Sequence, residues 1–161
     1  MRGKMKKIVF IILVLVLAGT GFFMYLQDKP TKVANPQPMP EYGEIKVEQA
    51  APLFAEGLPE KYAIVDARSK SEYEKEHTEG TINVPEAIFA NSINPCAEIM
   101  SKLPKNKDII FVSDFGSVSD AMYRHLTNPE DKMGCGMQKY GLYNLMAKVK
   151  FKKDRLIVQR Q

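Results

Sequence analysis

Ala63-Ile-Val-Asp-Ala-Arg-Ser-Lys-Ser-Glu-Tyr-Glu-Lys-Glu-His-Thr-Glu-Gly-Thr-Ile-Asn-Val-Pro85 sets an apolar strand, a short polar helix and a second strand in immediate succession. With Tyr62 in front, its opening is an apolar run punctuated by Asp66, the pattern of a parallel strand covered on both faces. Ser71-Glu-Tyr-Glu74 has the Ser-x-x-Glu form of a capping box and predicts the start of a short helix. Thr81–Val84 returns to strand-forming residues, and Pro85 stops them.

The same alternation continues on both sides. Glu44-Ile45-Lys46-Val47 is a short alternating strand, and Glu48–Ala55 reads as a helix that Gly57 and Pro59 bring to an end. Cys96–Leu103 is amphipathic, with Pro95 before it and Pro104 after it. Asp108–Val112 is a buried strand, Ser117–Leu126 a helix, and Leu142–Ala147 the expected last strand. Strands alternating with helices imply an α/β layered domain around a mostly parallel sheet. Ligands of such sheets bind beyond the carboxyl ends of the strands, where loops lead into helices. Ser113-Asp-Phe-Gly-Ser-Val-Ser119 is that loop after Asp108–Val112. Its backbone N–H groups and the following helix favour negative charge.

The stretch from Ile64 to Pro85 resembles the opening signature of the rhodanese family, roughly (V/I)-D-(V/A)-R, an acidic helix, then H-x-x-G-(A/T)-I-N-(V/I)-P. Gly141-Leu-Tyr-Asn-Leu145 is similar to that family's entry into its last strand, so the resemblance covers about residues 42–147. It implies a three-layer thiosulfate sulfurtransferase fold with an active-site loop of the form C-x-x-G-x-R-S, whose Cys thiolate carries sulfur as a persulfide. Here Ser113 stands where that pattern has Cys, Val118 where it has Arg, and Asp114 adds a negative charge at the mouth. A serine hydroxyl needs an adjacent base or metal to act as a nucleophile and holds no stable persulfide. Only His77 and His125 could serve as such a base, and both are expected to be structural or surface residues. The resemblance gives Asp66, Arg68 and His77 architectural roles. No catalytic residue is therefore expected. Residues Ser113, Asp114, Phe115, Gly116, Ser117, Val118 and Ser119 are expected to form a binding loop instead.

The chain ends carry a different message. Residues 1–7 hold Arg2, Lys4, Lys6 and Lys7 and no acid, and Ile8–Leu26 is an uncharged run of nineteen residues. That length crosses a hydrocarbon core of about 30 Å at 1.5 Å per residue. An uncleaved transmembrane anchor is expected, with cleavage after Leu17-Ala18-Gly19 as the alternative. The flanking charges keep the amino terminus cytoplasmic, so the domain is expected on the extracytoplasmic side of an inner or cytoplasmic membrane, in a bacterium the periplasm. Residues 27–41 contain Pro30, Pro36, Pro38 and Pro40 and read as a semi-stiff spacer, or as a polyproline ligand. Residues 148–161 read as a basic tail, either solvated with a short strand at Arg155–Val158 or lying on anionic lipid. Between these ends the chain is net acidic with no basic stripe, which excludes a nucleic-acid-binding core.

Cys96 and Cys135 are the only cysteines. In an oxidising compartment a Cys96–Cys135 disulfide is expected. Separate thiols, one of them a sulfur carrier, and a soft-metal site in Met133-Gly-Cys135-Gly-Met137 are the alternatives. Neither cofactor nor metal is expected. The functional expectation is a membrane-anchored, non-catalytic interaction module with a protein partner. A sulfur relay through Cys135 or Cys96, or an anchored subunit of a membrane complex, is the alternative.

Overall fold

A computed structural model of the chain describes residues 29–128, 130 and 134–161. The stretch read as a membrane span, 8–26, lies outside them, as does Met133 of the soft-ligand cluster. No helix among the described residues is long and apolar enough to cross a membrane.

Five strands make one sheet: β1 (Gly43–Ile45), β2 (Tyr62–Asp66), β3 (Ile82–Asn83), β4 (Asp108–Val112) and β5 (Leu142–Leu145). Their order is β1-β5-β4-β2-β3 and every neighbouring pair is parallel. The central strands β2 and β4 are buried along their length apart from Asp108, since the apolar run between Asp108 and Ser113 and that before Asp66 leave neither face suited to water. Period two then divides the core. Tyr62, Ile64, Ile110, Val112, Tyr143 and Leu145 point to one side, where Val47, Ala50 and Ala51 of helix α1 (Val47–Leu53) cover them. Ala63, Val65, Ile109, Phe111 and Leu142 point to the other. There they meet Phe89 of α3 (Ile88–Asn91), Ile99 of α4 (Pro95–Lys102), and Met122 and Leu126 of α5 (Ser117–Thr127).

The short helix α2 (Lys70–Lys75) starts one turn-fraction earlier than the sequence implies. Ser69, not Ser71, is its N-cap: its Oγ accepts the Glu72 N–H, and the Ser69 N–H donates to Glu72 Oε2 at 3.0 Å. Those hydrogen bonds, with that of the Ser69 hydroxyl foremost, hold the Glu72 carboxyl below the usual range. Ser69→Ala should cost about 1 kcal/mol of unfolding free energy, the usual worth of a cap. Because the Glu72 pKa is depressed in the fold, its share of that stability is present above the ordinary glutamate range and fades as pH falls through the folded value. Urea melts at neutral and at acid pH check both parts.

The chain end corrects the expectation of a tail. Lys148–Lys152 (β6) and Arg155–Gln159 (β7) pair antiparallel as a hairpin. Val149, Phe151, Leu156 and Val158 join the core on the α1 side of the sheet. Alternation Lys-Val-Lys-Phe-Lys sends the apolar residues inward and leaves the lysines to reach outward. Residues 29–41 are likewise not a free spacer. Thr31 N–H donates to Val158 O at 3.1 Å, Gln37 N–H to Glu48 O, and Gln49 Nε2 to Pro38 O, while Val33 and Met39 pack on the core.

Cys96, in the first turn of α4, and Cys135 form a disulfide, with Cα atoms 5.4 Å apart and a sequence separation of 39. The bridge fastens α4 to the segment after α5, whose Cys135 and Met137 N–H groups donate to His125 O and Leu126 O. A closed loop of that size stabilises by roughly 3–4 kcal/mol in the chain-entropy picture. The Cys96→Ala/Cys135→Ala variant should lose about that much in denaturant unfolding, and reduced wild type should match it.

Candidate functional site

The carboxyl edge of the sheet gathers Asp66 at the end of β2, Asn83 at the end of β3, Ser113 just past β4 and Met146 just past β5. Residues 113–116 turn the chain from β4 into α5. Gly116 makes that turn at φ +82°, and its lack of a side chain is required by space as well as by dihedral. A Cβ there would stand 2.9 Å from Leu145 O and 3.0 Å from Met146 Cα, so the loop lies directly against the end of β5.

Ser113 is 1% exposed. Its Oγ accepts the Ser119 N–H at 3.2 Å and donates to Ser119 Oγ at 3.3 Å. Ser119 Oγ in turn donates to Gly116 O at 2.9 Å. The two serines thus close the loop on itself, and the Ser113 hydroxyl serves as a cap for the start of α5. The N–H groups of Phe115, Gly116, Ser117 and Val118 meet no acceptor among the described residues. Phe115 and Val118 present apolar side chains to the outside, 58% and 38% exposed. No histidine supports hydroxyl chemistry here. His77 stacks on Tyr73 and its Nδ1 lies 2.9 Å from Tyr73 O, which fixes the turn after α2. His125 sits in the last turn of α5, packed on Phe89 and 3.5 Å from Glu86.

Beside the loop, Arg68 is the organising cation. Its Nη2 donates to Asp66 Oδ2 at 2.7 Å and to Glu76 O at 2.9 Å, while Nε and the backbone N–H donate to Asp66 Oδ1 at 3.0 Å. Nη1 reaches Asp114 Oδ1 at 3.3 Å. The Arg68 guanidinium carbon lies 3.4 Å from the Phe151 ring centroid, so a hairpin aromatic covers one face of the cation. Burial works against the charge, but the contacts with Asp66 outweigh it and hold Arg68 above its ordinary pKa. Asp114 is shifted upward, mainly because burial disfavours its charge, with Arg68 opposing only in part. Asn83 completes the cluster, donating its amide to Asp66 O and Arg68 O. The hairpin also bonds the loop's backbone: Val149 N–H donates to Asp114 O at 2.8 Å, and Gln161 Nε2 to Phe115 O at 2.7 Å.

The residues singled out in sequence therefore divide into two places. Asp66, Arg68 and the whole loop 113–119 share one edge, with His77 just outside it. Cys96 and Cys135 lie elsewhere: Cys135 is hydrogen-bonded to His125, on the order of 12 Å along α5 from Ser117. Sequence reasoning missed Phe151, Val149 and Gln161 as parts of the site. The alternation of residues 148–152 was the available signal.

Asp66 is fully buried and Arg68 is 8% exposed, so removing the carboxylate leaves a buried cation without its main partner. Asp66→Asn should cost about 3–5 kcal/mol. Asp114→Asn should be neutral or slightly stabilising at pH 7. A carboxyl whose pKa is raised by folding weakens the fold once it ionises, so that advantage should disappear below about pH 3.9. Denaturant unfolding of both variants across pH 3–8 tests the contrast.

The family model for the rhodanese-like domain matches residues 50–147. No curated protein matches the chain in sequence. Among solved structures, the single-domain sulfurtransferase RDL2 of Saccharomyces cerevisiae is similar at 19% identity and a TM-score of 0.36, over 66% of this chain and 86% of that one. The match to the family model takes in β2 to β5, the Asp66–Arg68 pair and the loop beyond β4, and by it this chain belongs to the rhodanese-like domain family.

Proposed function

We propose that this chain is a membrane-anchored rhodanese-like domain on the extracytoplasmic side, one that binds a protein partner through residues 113–119 and transfers no sulfur. The observation that carries this is the state of Ser113. Where the family pattern has its thiol, this chain has a hydroxyl that is 1% exposed and engaged with Ser119 as a helix cap. A group so buried and so bonded is not available for attack, and no base stands beside it. Val118 brings no charge to the position where the family pattern has Arg, and the nearest cation, Arg68, is committed to Asp66, Asp114 and Glu76.

Two further features support the reading. Both sulfurs that could replace the nucleophile are joined to each other, and a disulfide is at home in an oxidising extracytoplasmic compartment. A relay through Cys135 or Cys96 would require the bridge to open first. The loop meanwhile keeps unbonded N–H groups beside exposed Phe115 and Val118, a mixture of donors and apolar surface suited to recognition. The uncharged run Ile8–Leu26 behind a basic flank supports the anchor and its orientation.

Intact mass of the purified full chain after thiosulfate tests this, with and without a reductant. The expected result is no gain of one sulfur in either condition. A gain that Cys135→Ala or Cys96→Ala abolishes would replace binding with a sulfur relay. The Ser113→Cys/Val118→Arg variant is expected to acquire a sulfur under the same conditions. Complete inertness of that variant would sink the equation of residues 113–119 with the family's sulfur-binding loop.

A further inference from the structure

The described chain begins strapped to the hairpin. Lys29 O accepts Gln159 Nε2 at 2.8 Å, Thr31 N–H donates to Val158 O at 3.1 Å, and Thr31 Oγ1 accepts the Arg160 N–H at 3.1 Å. These contacts tie residues 29–31 to the last two residues of β7, Val158 and Gln159, and to Arg160 just beyond it. Leu26, the end of the uncharged run, precedes Lys29 by three residues, which span at most about 10 Å. Wherever Leu26 stands, the Gln159–Gln161 segment stands close by.

That segment lies on the carboxyl edge of the sheet. Gln159, Arg160 and Gln161 border one cleft with Lys46 and Val47, just past β1, and with Met146 and Ala147, just past β5. Gln161 then reaches the β4 loop through its bond to Phe115 O. The same edge carries Phe115 and Val118 as exposed apolar side chains. Its carboxylates are held: Glu44 by Lys46, Glu48 by Arg160, Glu76 by Lys152, Glu79 by Lys153 and Asp114 by Arg68, while Glu72 bonds the Ser69 hydroxyl and N–H and Glu86 faces His125. An edge with paired acids and outward apolar residues can approach lipid headgroups without burying a bare negative charge.

We infer that the carboxyl edge of the sheet rests on the bilayer surface, with Phe115 and Val118 entering the interface, so that the 113–119 loop faces lipid and not open solvent. This rests on the anchor reading of Ile8–Leu26. It narrows the protein partner of residues 113–119 to one held at the membrane surface. The opposite, amino edge of the sheet, where Tyr140 is 72% exposed, then points away from the membrane.

The chain has no tryptophan, so each substitution gives a single reporter. Phe115→Trp, Val118→Trp and Tyr140→Trp are made in the full chain and reconstituted into vesicles of phosphatidylcholine and phosphatidylglycerol. All three side chains are exposed, so the core is untouched. The expected result is acrylamide quenching several-fold weaker at positions 115 and 118 than at 140. Brominated phosphatidylcholine should quench the first two and spare the third. Equal acrylamide access at 115 and 140 would overturn the inference. So would shielding that rises with protein concentration at fixed lipid, which indicates a second copy. Vesicle flotation of the same samples separates the failures. A chain that floats with position 115 exposed loses only this inference, whereas a chain that does not float loses the anchor and the inference together.

Discussion

The buried ion pair between Asp66 and Arg68 is the constraint on which the site depends. It forms two residues past the end of a strand, where the chain leaves the sheet, and it costs desolvation that only complete bonding can offset. That bonding recruits every neighbouring element. Asp66 accepts the Arg68 backbone N–H, Nε and Nη2, Glu76 O accepts from Nη2 as well, and Asp114 draws the β4 loop across to Nη1. Phe151 then closes the exposed face of the cation. One cation thus joins the end of β2, the end of α2, the β4 loop and the terminal hairpin.

From that pair the character of the loop follows. Three carboxyl groups, those of Asp66, Asp114 and Glu72, surround a single arginine, so the positive potential an anion would meet is largely spent inside the protein. At the start of this loop the strand end supplies the Ser113 hydroxyl, bonded to Ser119, and the remaining polarity is carried by backbone N–H groups. Geometry of the cradle is kept by Gly116 against β5, while its charge has been balanced out.

Much of this was legible in the sequence, because apolar runs at Tyr62–Ala67 and Asp108–Val112 admit little besides buried parallel strands. The loop position followed from topology, and the Cys96–Cys135 disulfide is as expected. What escaped had local physical reasons. Two Ser-x-x-Glu patterns overlap at 69–74, and the choice of Ser69 is made by the Asp66 bond to the Arg68 N–H, which fixes where the turn ends. At 148–160 the number of lysines and arginines masked a period-two pattern. Val149, Phe151, Leu156 and Val158 bury their side chains while the cations extend past them on long stems. Prolines at 30, 36, 38 and 40 exclude regular structure but not packing, so a stretch read as a spacer lies along the domain.

Through the contacts of Asp114, Phe151 and Val149, the β4 loop, Arg68 and the hairpin behave as one unit. Hydrogen–deuterium exchange of wild type and Phe151→Leu tests it most directly, since leucine keeps apolar volume in the core but removes the aromatic face over the cation. Exchange across Ser113–Ser119 and Lys148–Lys152 is expected to accelerate together, with α4 unchanged on the far side of the sheet. A hairpin that loosens alone, leaving residues 113–119 as slow as in wild type, would contradict it.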